Sequence, residues 1–375
     1  MASIEPYFMA ARRNKNVMTR AYRVFLNDLN QGKSEELKRF LRLCHDVMQY
    51  FVDLHWQRQD FSAKLANLPT IHRAVKRFGI TTRLSQALCK QAKEFVASQR
   101  KKDKKRKPRL RRHVVTLFYH FVTIEPFNGK GFDWCIKFIG SGAPKMVCPI
   151  KATKPMNQKL ADGWIRSRTI RLGCKGDRVF IDLLLEKEPP QPRSEGKVVG
   201  MDSNYKNGLV FSDGQNVATE LHQTIQGFAK RQKHTRVEMK SMIGQAIKRI
   251  DFSQVKMLVI EDLKKVKHGK RGTFSRVFNR RLSHWLYAYT ASLLVRRCEE
   301  LGIEVQRKDP WKTSQRCHAC GKWDKRNRRG DRFLCVNCGH ADHADLNASK
   351  NLEFLGLAEM YGFRLRPSSK RQSFG

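Results

Sequence analysis

The sequences Cys317-His-Ala-Cys320 and Cys335-Val-Asn-Cys338 are two CxxC motifs with 14 residues between them. A glycine follows each motif, at Gly321 and Gly339, and suits a tight turn that needs positive φ and N–H groups directed at sulfur. Two such turns can present four thiolates tetrahedrally to one Zn²⁺, and this spacing is typical of a zinc ribbon. A redox-active cysteine pair would account for only one of the two CxxC motifs. We therefore predict a structural zinc site held by these four cysteines, in a ribbon spanning residues 313–339.

Three acidic residues lie at the ends of predicted elements around this ribbon. Val198-Val-Gly-Met-Asp202 is an apolar strand that ends in a carboxylate, and the buried strand 255–260 is followed by Glu261. Asp345 opens a predicted amphipathic helix shortly after the second CxxC motif. Strand-end carboxylates can converge with a helix carboxylate at one edge of a sheet, where they would hold two Mg²⁺ about 4 Å apart. For each acid taken alone, a helix cap or a surface role is the alternative. Asp262 competes with Glu261 but would point to the opposite side of the strand end.

The composition indicates a nucleic-acid partner. The chain has 375 residues, enough for two or three domains, and its formal net charge is +41 at pH 7. A charge of this size repels itself unless a polyanion neutralises it, so nucleic acid is the expected ligand. A membrane surface is the alternative. It fits less well because the sequence has neither a clear basic amphipathic helix nor a lipidation signal.

Sequence features also indicate where the protein works. No apolar stretch approaches the roughly 20 residues of a membrane-spanning helix. Residues 1–16 lack the apolar core of a signal peptide. The cysteines outside the ribbon are scattered through helix-like and strand-like patterns, so we expect them to be reduced core thiols. We therefore expect a cytoplasmic protein, nucleoid-associated in a prokaryote, that is not secreted.

The first half of the chain combines β-structure with a helical interruption. Residues 17–29 are a predicted strand, and residues 113–188 have strand character that includes a β-branched run from Val114 to Ile124. Lys175-Gly-Asp177 suits the loop of a hairpin between two of the later strands. We predict a β-barrel or sandwich, formed by residues 1–32 and 113–190.

The interruption is predicted to be a small all-helical insert, residues 33–112. Apolar side chains recur at helical spacing over 34–60 and again over 82–98. The insert ends in a basic segment from Arg100 to Arg112, in which Pro108 prevents a plain helix. So many like charges in sequence favour phosphate binding, with a solvated linker as the alternative. The candidate nucleic-acid contacts are Lys101, Lys102, Lys104, Lys105, Arg106, Lys107, Arg109, Arg111 and Arg112.

From Lys197 onward, alternating strands and helices predict an α/β domain made of residues 197–312 and 340–360. The zinc ribbon is inserted into this domain. Residues 361–375 form a basic tail that we expect to be disordered. Further predicted elements are a strand at 207–212, helical structure over 217–250, a helix at 281–301 and a strand at 303–306.

Several motifs together resemble the TnpB family of transposon-encoded RNA-guided nucleases, which are relatives of the compact type V CRISPR effectors. The motifs are Val199-Gly-Met-Asp202, Val259-Ile-Glu-Asp-Leu263, Thr313-Ser-Gln315, both CxxCG knuckles, and Ala344-Asp-Leu-Asn-Ala-Ser-Lys-Asn-Leu352. The resemblance is strong over residues 197–355. Over the N-terminal half it is supported by the order and composition of the elements.

The resemblance implies a multidomain α+β protein. Its N-terminal part would be a wedge β-barrel with a helical recognition insert. Its C-terminal part would be an RNase H-like (RuvC) α/β domain with an inserted zinc ribbon. The resemblance assigns Asp202, Glu261 and Asp345 as catalytic acids holding two Mg²⁺, and the four cysteines as the structural Zn²⁺ element of a target-nucleic-acid-binding region.

The resemblance also implies partners and an activity. The protein would carry one guide RNA per chain, from the transposon end or a CRISPR-like array. It would cut double-stranded DNA beside a short motif, with base pairing reading the sequence. Two other functions stay open: a nuclease-inactive, RNA-guided DNA-binding repressor, and a guide-independent transposase or resolvase on the same core.

One residue departs from the family pattern. The family usually has a glycine two positions after its first acid, and here that position is Asn204. Asparagine tolerates positive φ, so we expect the turn to survive. All three acids are present, which favours the active endonuclease over the repressor.

Overall fold

The computed structural model describes residues 17–58, 68–102, 106–127, 131–204, 206–227, 235–262, 286–309 and 312–362. The chain divides into two compact units, with the boundary between Glu188 and Pro189. Lys104, Lys105 and most of the predicted basic tail lie outside the described residues. No helix within the described ranges combines the length and the apolar character that a membrane crossing requires.

The first unit contains two antiparallel sheets. Its strands are β1 Met18–Phe25, β2 Val114–Leu117, β3 Val122–Pro126, β4 Trp134–Ile139, β5 Lys145–Ile150, β6 Ile165–Lys175 and β7 Arg178–Lys187. The four-stranded sheet has the order β1-β7-β6-β2, and the three-stranded sheet has the order β3-β4-β5. Strand β1 pairs with β7 from Met18↔Lys187 to Phe25↔Phe180, so the first strand joins the strands beyond the helical insert. The predicted hairpin is the β6–β7 pair, which closes at Lys175↔Arg178.

The β-branched run from Val114 to Ile124 is not one strand but two. A tight turn separates β2 from β3, and in it the Phe121 N–H donates to the Phe118 carbonyl at 2.8 Å. The two strands belong to different sheets. Residues of high β propensity continue on both sides of the turn, so composition alone does not reveal the change of sheet.

The helices of the first unit are α1 Gln31–Arg58, α2 Leu68–Phe78, α3 Thr82–Arg100 and α4 Lys154–Ala161. The predicted periodicity of α1 is confirmed, since Leu37, Leu41 and Met48 lie in the core. Thr81 caps α3 by accepting a hydrogen bond from the Leu84 N–H at 3.2 Å. Helix α2 was not predicted, although Ile71, Val75 and Phe78 recur at helical spacing; it is only eleven residues long.

The second unit is built on a mixed sheet of order β10-β9-β8-β11-β12. Its strands are β8 Lys197–Asn204, β9 Gly208–Phe211, β10 Asn216–Val217, β11 Val255–Glu261 and β12 Glu304–Lys308. Its helices are α5 Leu221–Gly227, α6 Thr235–Arg249, α7 Tyr287–Leu301 and α8 Ala344–Met360. Strands β8, β11 and β12 are parallel, whereas β9 and β10 are antiparallel to their neighbours.

The two faces of this sheet carry different helices. Val198 and Val259 pack with Leu352 of α8 on one face. Val199 and Leu258 belong to a second core on the other face, which includes buried side chains of α6 and α7. Since neighbouring residues on a strand point to opposite faces, these apolar runs are buried on both sides.

Helix α8 lies directly on the backbone of β8 at Gly200. A Cβ atom added at Gly200 would collide with the Ser349 carbonyl oxygen and would lie 2.5 Å from the Glu353 nitrogen. Only glycine allows this approach.

The ribbon has a small antiparallel sheet of its own. Its strands are β13 Arg328–Arg329, β14 Arg332–Leu334 and β15 Ala341–His343, in the order β13-β14-β15. Strand β15 leads directly into α8. The ribbon sheet therefore extends past the predicted boundary at residue 339, to the residue that precedes the helix.

Candidate metal centres

Asp202 and Glu261 lie at one edge of the five-stranded sheet. Strands β8 and β11 are adjacent and parallel, and their register runs to Ile260↔Met201, the residues immediately before the two acids. Since side chains alternate along a strand, both acids point to the face that carries α8. The same alternation directs Asp262 to the opposite face.

Asp345 stands in the first turn of α8, and only 1% of its surface is exposed. The Asn207 side-chain amide donates to its Oδ2 at 2.6 Å, and Arg328 Nη2 donates to its Oδ1 at 3.4 Å. His343 caps the helix, because its Nδ1 accepts from the Asp345 N–H at 3.3 Å. These three partners fix the position of a carboxylate at the start of the helix that packs on β8.

The charges of both other acids affect the pKa of Asp202. Its pKa is raised well above the usual range, first by burial and then by the negative charges of Glu261 and Asp345. The Asn204 side-chain amide opposes this rise with a hydrogen bond to Asp202 Oδ2 at 3.4 Å. The structure therefore brings the three predicted acids into one electrostatic cluster.

Glu261 accepts a hydrogen bond from Thr313, at the start of the segment that leads into the ribbon. The Thr313 hydroxyl donates to Glu261 Oε1 at 3.0 Å. Burial raises the pKa of Glu261 to about 7; the charge of Asp345 adds to the rise and the Thr313 hydrogen bond opposes it. Thr313 is thus a neutral partner that favours the ionised form of Glu261.

Asn204 stabilises the turn after Asp202 with hydrogen bonds from its side chain, which a glycine could not form. It is the last residue of β8 and pairs with Gly208. Its Oδ1 accepts from the backbone N–H groups of Lys206 at 2.8 Å and Asn207 at 2.7 Å. The turn is retained as expected, but without a positive φ at Asn204, because a side-chain acceptor organises it. The positive φ falls on Gly208.

Two further residues near the acids could not be identified from sequence patterns. Tyr287 is the first residue of α7, and its pKa is raised by burial and by the charges of Asp202 and Glu261. Arg328, which donates to Asp345, lies in the basic ribbon and is not distinguished there by spacing. By contrast, Thr313 lies in a short motif that the sequence had already singled out.

The donor set at the sheet edge suits a divalent cation with hard oxygen ligands. Burial and the neighbouring negative charges raise the pKa values of Asp202 and Glu261, and a divalent cation would offset the cost of ionising them. The three acids are not among the groups of described residues whose ligand atoms all lie within 4.8 Å of one another. Their oxygen donors and their common place at the sheet edge fit Mg²⁺.

The Sγ atoms of the four ribbon cysteines all lie within 4.8 Å of one another, which is close enough to bind one metal ion. Cys317 Sγ lies 3.7 Å from Cys338 Sγ, and Cys320 Sγ lies 3.6 Å from Cys335 Sγ. A tetrahedral ZnS₄ site with Zn–S bonds of about 2.3 Å places neighbouring sulfur atoms about 3.8 Å apart. The separations therefore match a single Zn²⁺.

The local backbone also favours this metal. The N–H groups of Gly321 and Gly339 donate to the carbonyls of Cys317 and Cys335 at 2.9 and 3.0 Å, and both glycines have positive φ, as predicted. A hydrogen bond from the Lys322 backbone lowers the pKa of Cys320 to about 6, whereas burial raises that of Cys317 to about 12. A bound cation would offset the cost of ionising the buried thiol.

The first zinc knuckle is bonded to the helix that carries Asp345. The Asn347 amide donates to the Arg316 carbonyl at 2.8 Å, and its Oδ1 accepts from the His318 N–H at 3.1 Å. The Asn351 amide donates to the carbonyls of Thr313 and Arg316 at 2.9 and 2.8 Å. Both asparagines are buried. Residues 313–318 therefore contact Glu261, helix α8 and the zinc knuckle at once.

The basic segment of the first unit leaves α3 and follows α1. Gln49 of α1 accepts from the Leu110 N–H at 2.9 Å, and Lys107 forms an ion pair with Asp53 at 3.1 Å. The side chains of Lys101, Lys102, Arg106, Lys107, Arg109, Arg111 and Arg112 are exposed. The structure thus presents a row of cations to solvent on a backbone that is fixed to a helix.

Comparison with known proteins identifies relatives of the second unit. Residues 287–352 match the family model described as "Cas12f1-like, TNB domain". A 75-residue segment is 41% identical to the CRISPR-associated endodeoxyribonuclease Cas12f1 of Sulfoacidibacillus thermotolerans, and it covers 20% of this chain and 18% of that protein. A 120-residue segment is 32% identical to a TnpB-like protein of Aquifex aeolicus (strain VF5), and it covers 30% of this chain and 37% of that protein. The matched segments thus span well under half of the length of these relatives.

A solved structure extends the likeness to both units at the level of fold. The chain is similar to the Cas12f1 chain in the cryo-EM structure of the Cas12f1-sgRNA-target DNA complex, with a TM-score of 0.58 and 13% sequence identity. The match covers 87% of this chain and 83% of the other. Together, the domain match, the two kinds of sequence relative and the shared multidomain α/β fold support membership of the TnpB and compact type V effector family.

Proposed function

We propose that the protein is an RNA-guided DNA endonuclease with a RuvC-like, Mg²⁺-dependent site formed by Asp202, Glu261 and Asp345. The observation that carries this proposal is the placement of three carboxylates, two of them buried and Glu261 half-buried, at the edge of a parallel strand pair and facing one helix. Such an arrangement costs stability unless a cation uses it. The endodeoxyribonuclease name of one sequence relative supports the choice of reaction.

Each residue around the acids has a role in this proposal. When bound, Mg²⁺ would activate water and stabilise the leaving 3′ oxygen during phosphodiester hydrolysis. The three acids would supply oxygen ligands from two strands and one helix. Asn207 would orient Asp345, and Thr313 would orient Glu261, each through the hydrogen bond described above.

The nucleic-acid partners follow from charge and from the relatives. A net charge of +41 fits a protein that surrounds a structured guide RNA and a DNA target. The similar structure is a complex of Cas12f1 with sgRNA and target DNA. We infer one guide RNA per protein chain, from a transposon end or a CRISPR-like array, and cleavage of double-stranded DNA beside a short motif. The exposed cations from Lys101 to Arg112 are candidate phosphate contacts.

The domain roles belong to the same proposal. Residues 1–32 and 113–190 would form a wedge-type β-barrel, with the helical recognition insert at 33–112. Residues 197–312 and 340–360 would form the RuvC-like domain, and the ribbon at 313–339 would bind target nucleic acid. The pairing of β1 with β7 across the insert supports the first assignment.

The test is to purify the protein from cells that carry its native locus, sequence the bound RNA, and add Mg²⁺ with a matching DNA. We expect one discrete RNA and target-dependent cleavage that Asp202→Asn abolishes without loss of the RNA. Asp213→Asn, in an exposed turn after β9, is the matched control and keeps activity. A discrete RNA without cleavage would favour the repressor. Activity without RNA would favour the transposase or resolvase.

A further inference from the structure

We propose that His318, His340 and Asp342 form a second metal site in the ribbon, for a divalent transition metal such as Zn²⁺. The potential ligand atoms of these three residues all lie within 4.8 Å of one another. The site is distinct from the four-cysteine site and shares no ligand with it. It also lies outside the proposed nuclease centre and does not depend on that function.

His318 is prepared as a metal ligand by its hydrogen bonds. Its Nδ1 lies 3.2 Å from Asn347 Oδ1. That oxygen is an acceptor, because Asn347 Nδ2 donates to the Arg316 carbonyl. The imidazole proton therefore resides on Nδ1, and the lone pair of Nε2 is free. Metal-binding histidines are usually oriented in this way, with the second ring nitrogen donating to a protein oxygen.

His340 has a buried nitrogen that lacks a hydrogen bond. Its Nε2 is inaccessible to solvent and has no hydrogen-bond partner among the residues that the structure describes. It lies 3.6 Å from Asp342 Oδ2, too far for a good hydrogen bond but suitable for two ligands of one ion. The His318 and His340 rings meet edge to face, with centroids 4.5 Å apart. A buried nitrogen without a partner costs free energy, and a metal ion would remove that cost.

Asp342 supplies the oxygen ligand and has a competing partner. Its Oδ1 accepts from the His343 N–H at 2.8 Å, which orients the carboxylate. Lys350 Nζ lies 2.9 Å from its Oδ2, on a side chain that is 31% exposed. The lysine balances the carboxylate charge when no metal is bound. It can move to solvent when a divalent cation takes its place.

The ligand set defines the class of metal. Two imidazoles and one carboxylate are borderline ligands that suit Zn²⁺, Co²⁺ or Ni²⁺ better than Mg²⁺ or Ca²⁺. Three protein ligands leave a fourth position for water or for a group on a partner. His318 lies in the first knuckle and His340 directly follows the second, so this metal would join both knuckles to strand β15.

The test is a titration with Co²⁺ of the full-length protein, freed of transition metals under reducing conditions and kept in excess Mg²⁺ so that the proposed nuclease centre is already occupied. We expect two equivalents to bind. One of them gives thiolate-to-cobalt charge-transfer absorption from the four cysteines. The other gives only the weaker ligand-field bands, because its site contains no sulfur. One equivalent in the wild-type protein would overturn the proposal.

Variants separate the two sites. His340→Ala and Asp342→Asn should each bind one equivalent while the charge-transfer band is retained, which shows that the ribbon still folds. His72→Ala, an exposed histidine of α2, should bind two. Lys350→Gln should tighten the second site about tenfold or more, since it removes a positive charge adjacent to the cation. Two equivalents in all variants, or weaker binding by Lys350→Gln, would contradict the assignment.

Discussion

The side-chain amide of Asn207 lies 2.6 Å from Asp345 Oδ2 and joins residues that are 138 positions apart. Asn207 is itself positioned by Asn204, whose side-chain oxygen accepts from the Asn207 backbone N–H at 2.7 Å. The turn that follows Asp202 therefore orients the Asp345 carboxylate. This chain of contacts explains how Asn204 can replace a glycine without loss of the site.

We expect Asn207→Ala to reduce DNA cleavage about 10- to 100-fold, as removal of an outer-shell partner of a metal ligand typically does. Guide RNA binding should not change, because the substitution affects only the orientation of Asp345. Cleavage rates at several Mg²⁺ concentrations would measure the effect. Asn216→Ala, on the exposed part of β10, is the matched control.

Asn204→Ala tests the same chain of contacts one step earlier. It should also slow cleavage, and the double variant Asn204→Ala/Asn207→Ala should lose less than the sum of the two single effects. Fully additive losses would show that the two asparagines act independently of each other.

We expect Thr313→Val to lower the apparent Mg²⁺ affinity and to shift the pH dependence of cleavage to higher pH. The hydroxyl donates to Glu261 and lowers its pKa, so its loss raises a pKa that is already about 7. The pH–rate profile is the measurement. Thr290→Val is the control, because its buried hydroxyl on α7 has no hydrogen-bond partner among the described residues. An unchanged profile in Thr313→Val would remove Thr313 from the site.

We expect Glu261→Gln to stabilise the metal-free protein by about 1–3 kcal/mol at pH 8 and much less at pH 5. The folded-state pKa of Glu261 lies near 7, above the unfolded value of about 4.3. The folded protein therefore holds the proton more tightly, and the wild type loses stability as pH rises from about 4 to 7.

Chemical denaturation in the presence of a chelator would measure this difference at the two pH values. Glu195→Gln, at an exposed position before β8, should show no such difference. The idea fails if the wild type is the more stable of the two proteins at pH 8. The proposed metal centre would then not carry the electrostatic cost that we ascribe to it.

We expect Cys317→Ser combined with Cys320→Ser to remove the structural Zn²⁺ and to destabilise the C-terminal part of the second unit. Residues 313–318 also contact Glu261 and α8, so the response of the protein to Mg²⁺ should weaken as well. Metal analysis and limited proteolysis would measure the two effects. Cys298→Ser, at a buried thiol of α7, is a control for the loss of a cysteine without loss of the metal. Unchanged zinc content in the double variant would refute the ribbon.

The sheet of the second unit was well predicted because its signals are local. Strands β8 and β11 are short apolar runs, and each is followed by an acid. Parallel neighbours end at the same edge, so the convergence of Asp202 and Glu261 follows from strand order alone. The zinc knuckles are equally local, since spacing and glycine positions define each one.

The contacts that hold the acids could not be derived in this way. The Thr313–Glu261 and Asn207–Asp345 bonds span 52 and 138 positions, and they arise only when strands, turn and helix are assembled. The break between β2 and β3 was missed for a related reason. A change of sheet is decided by tertiary pairing, while the residues on either side keep the same propensity.

Gly200 sets the distance between two of the acids by a contact of main chain with main chain. Strand β8, which carries Asp202, and helix α8, which carries Asp345 in its first turn, meet at Gly200 with backbone atoms in close approach. A single methyl group at position 200 would push α8 away from β8 and so move two carboxylates of the proposed metal centre apart.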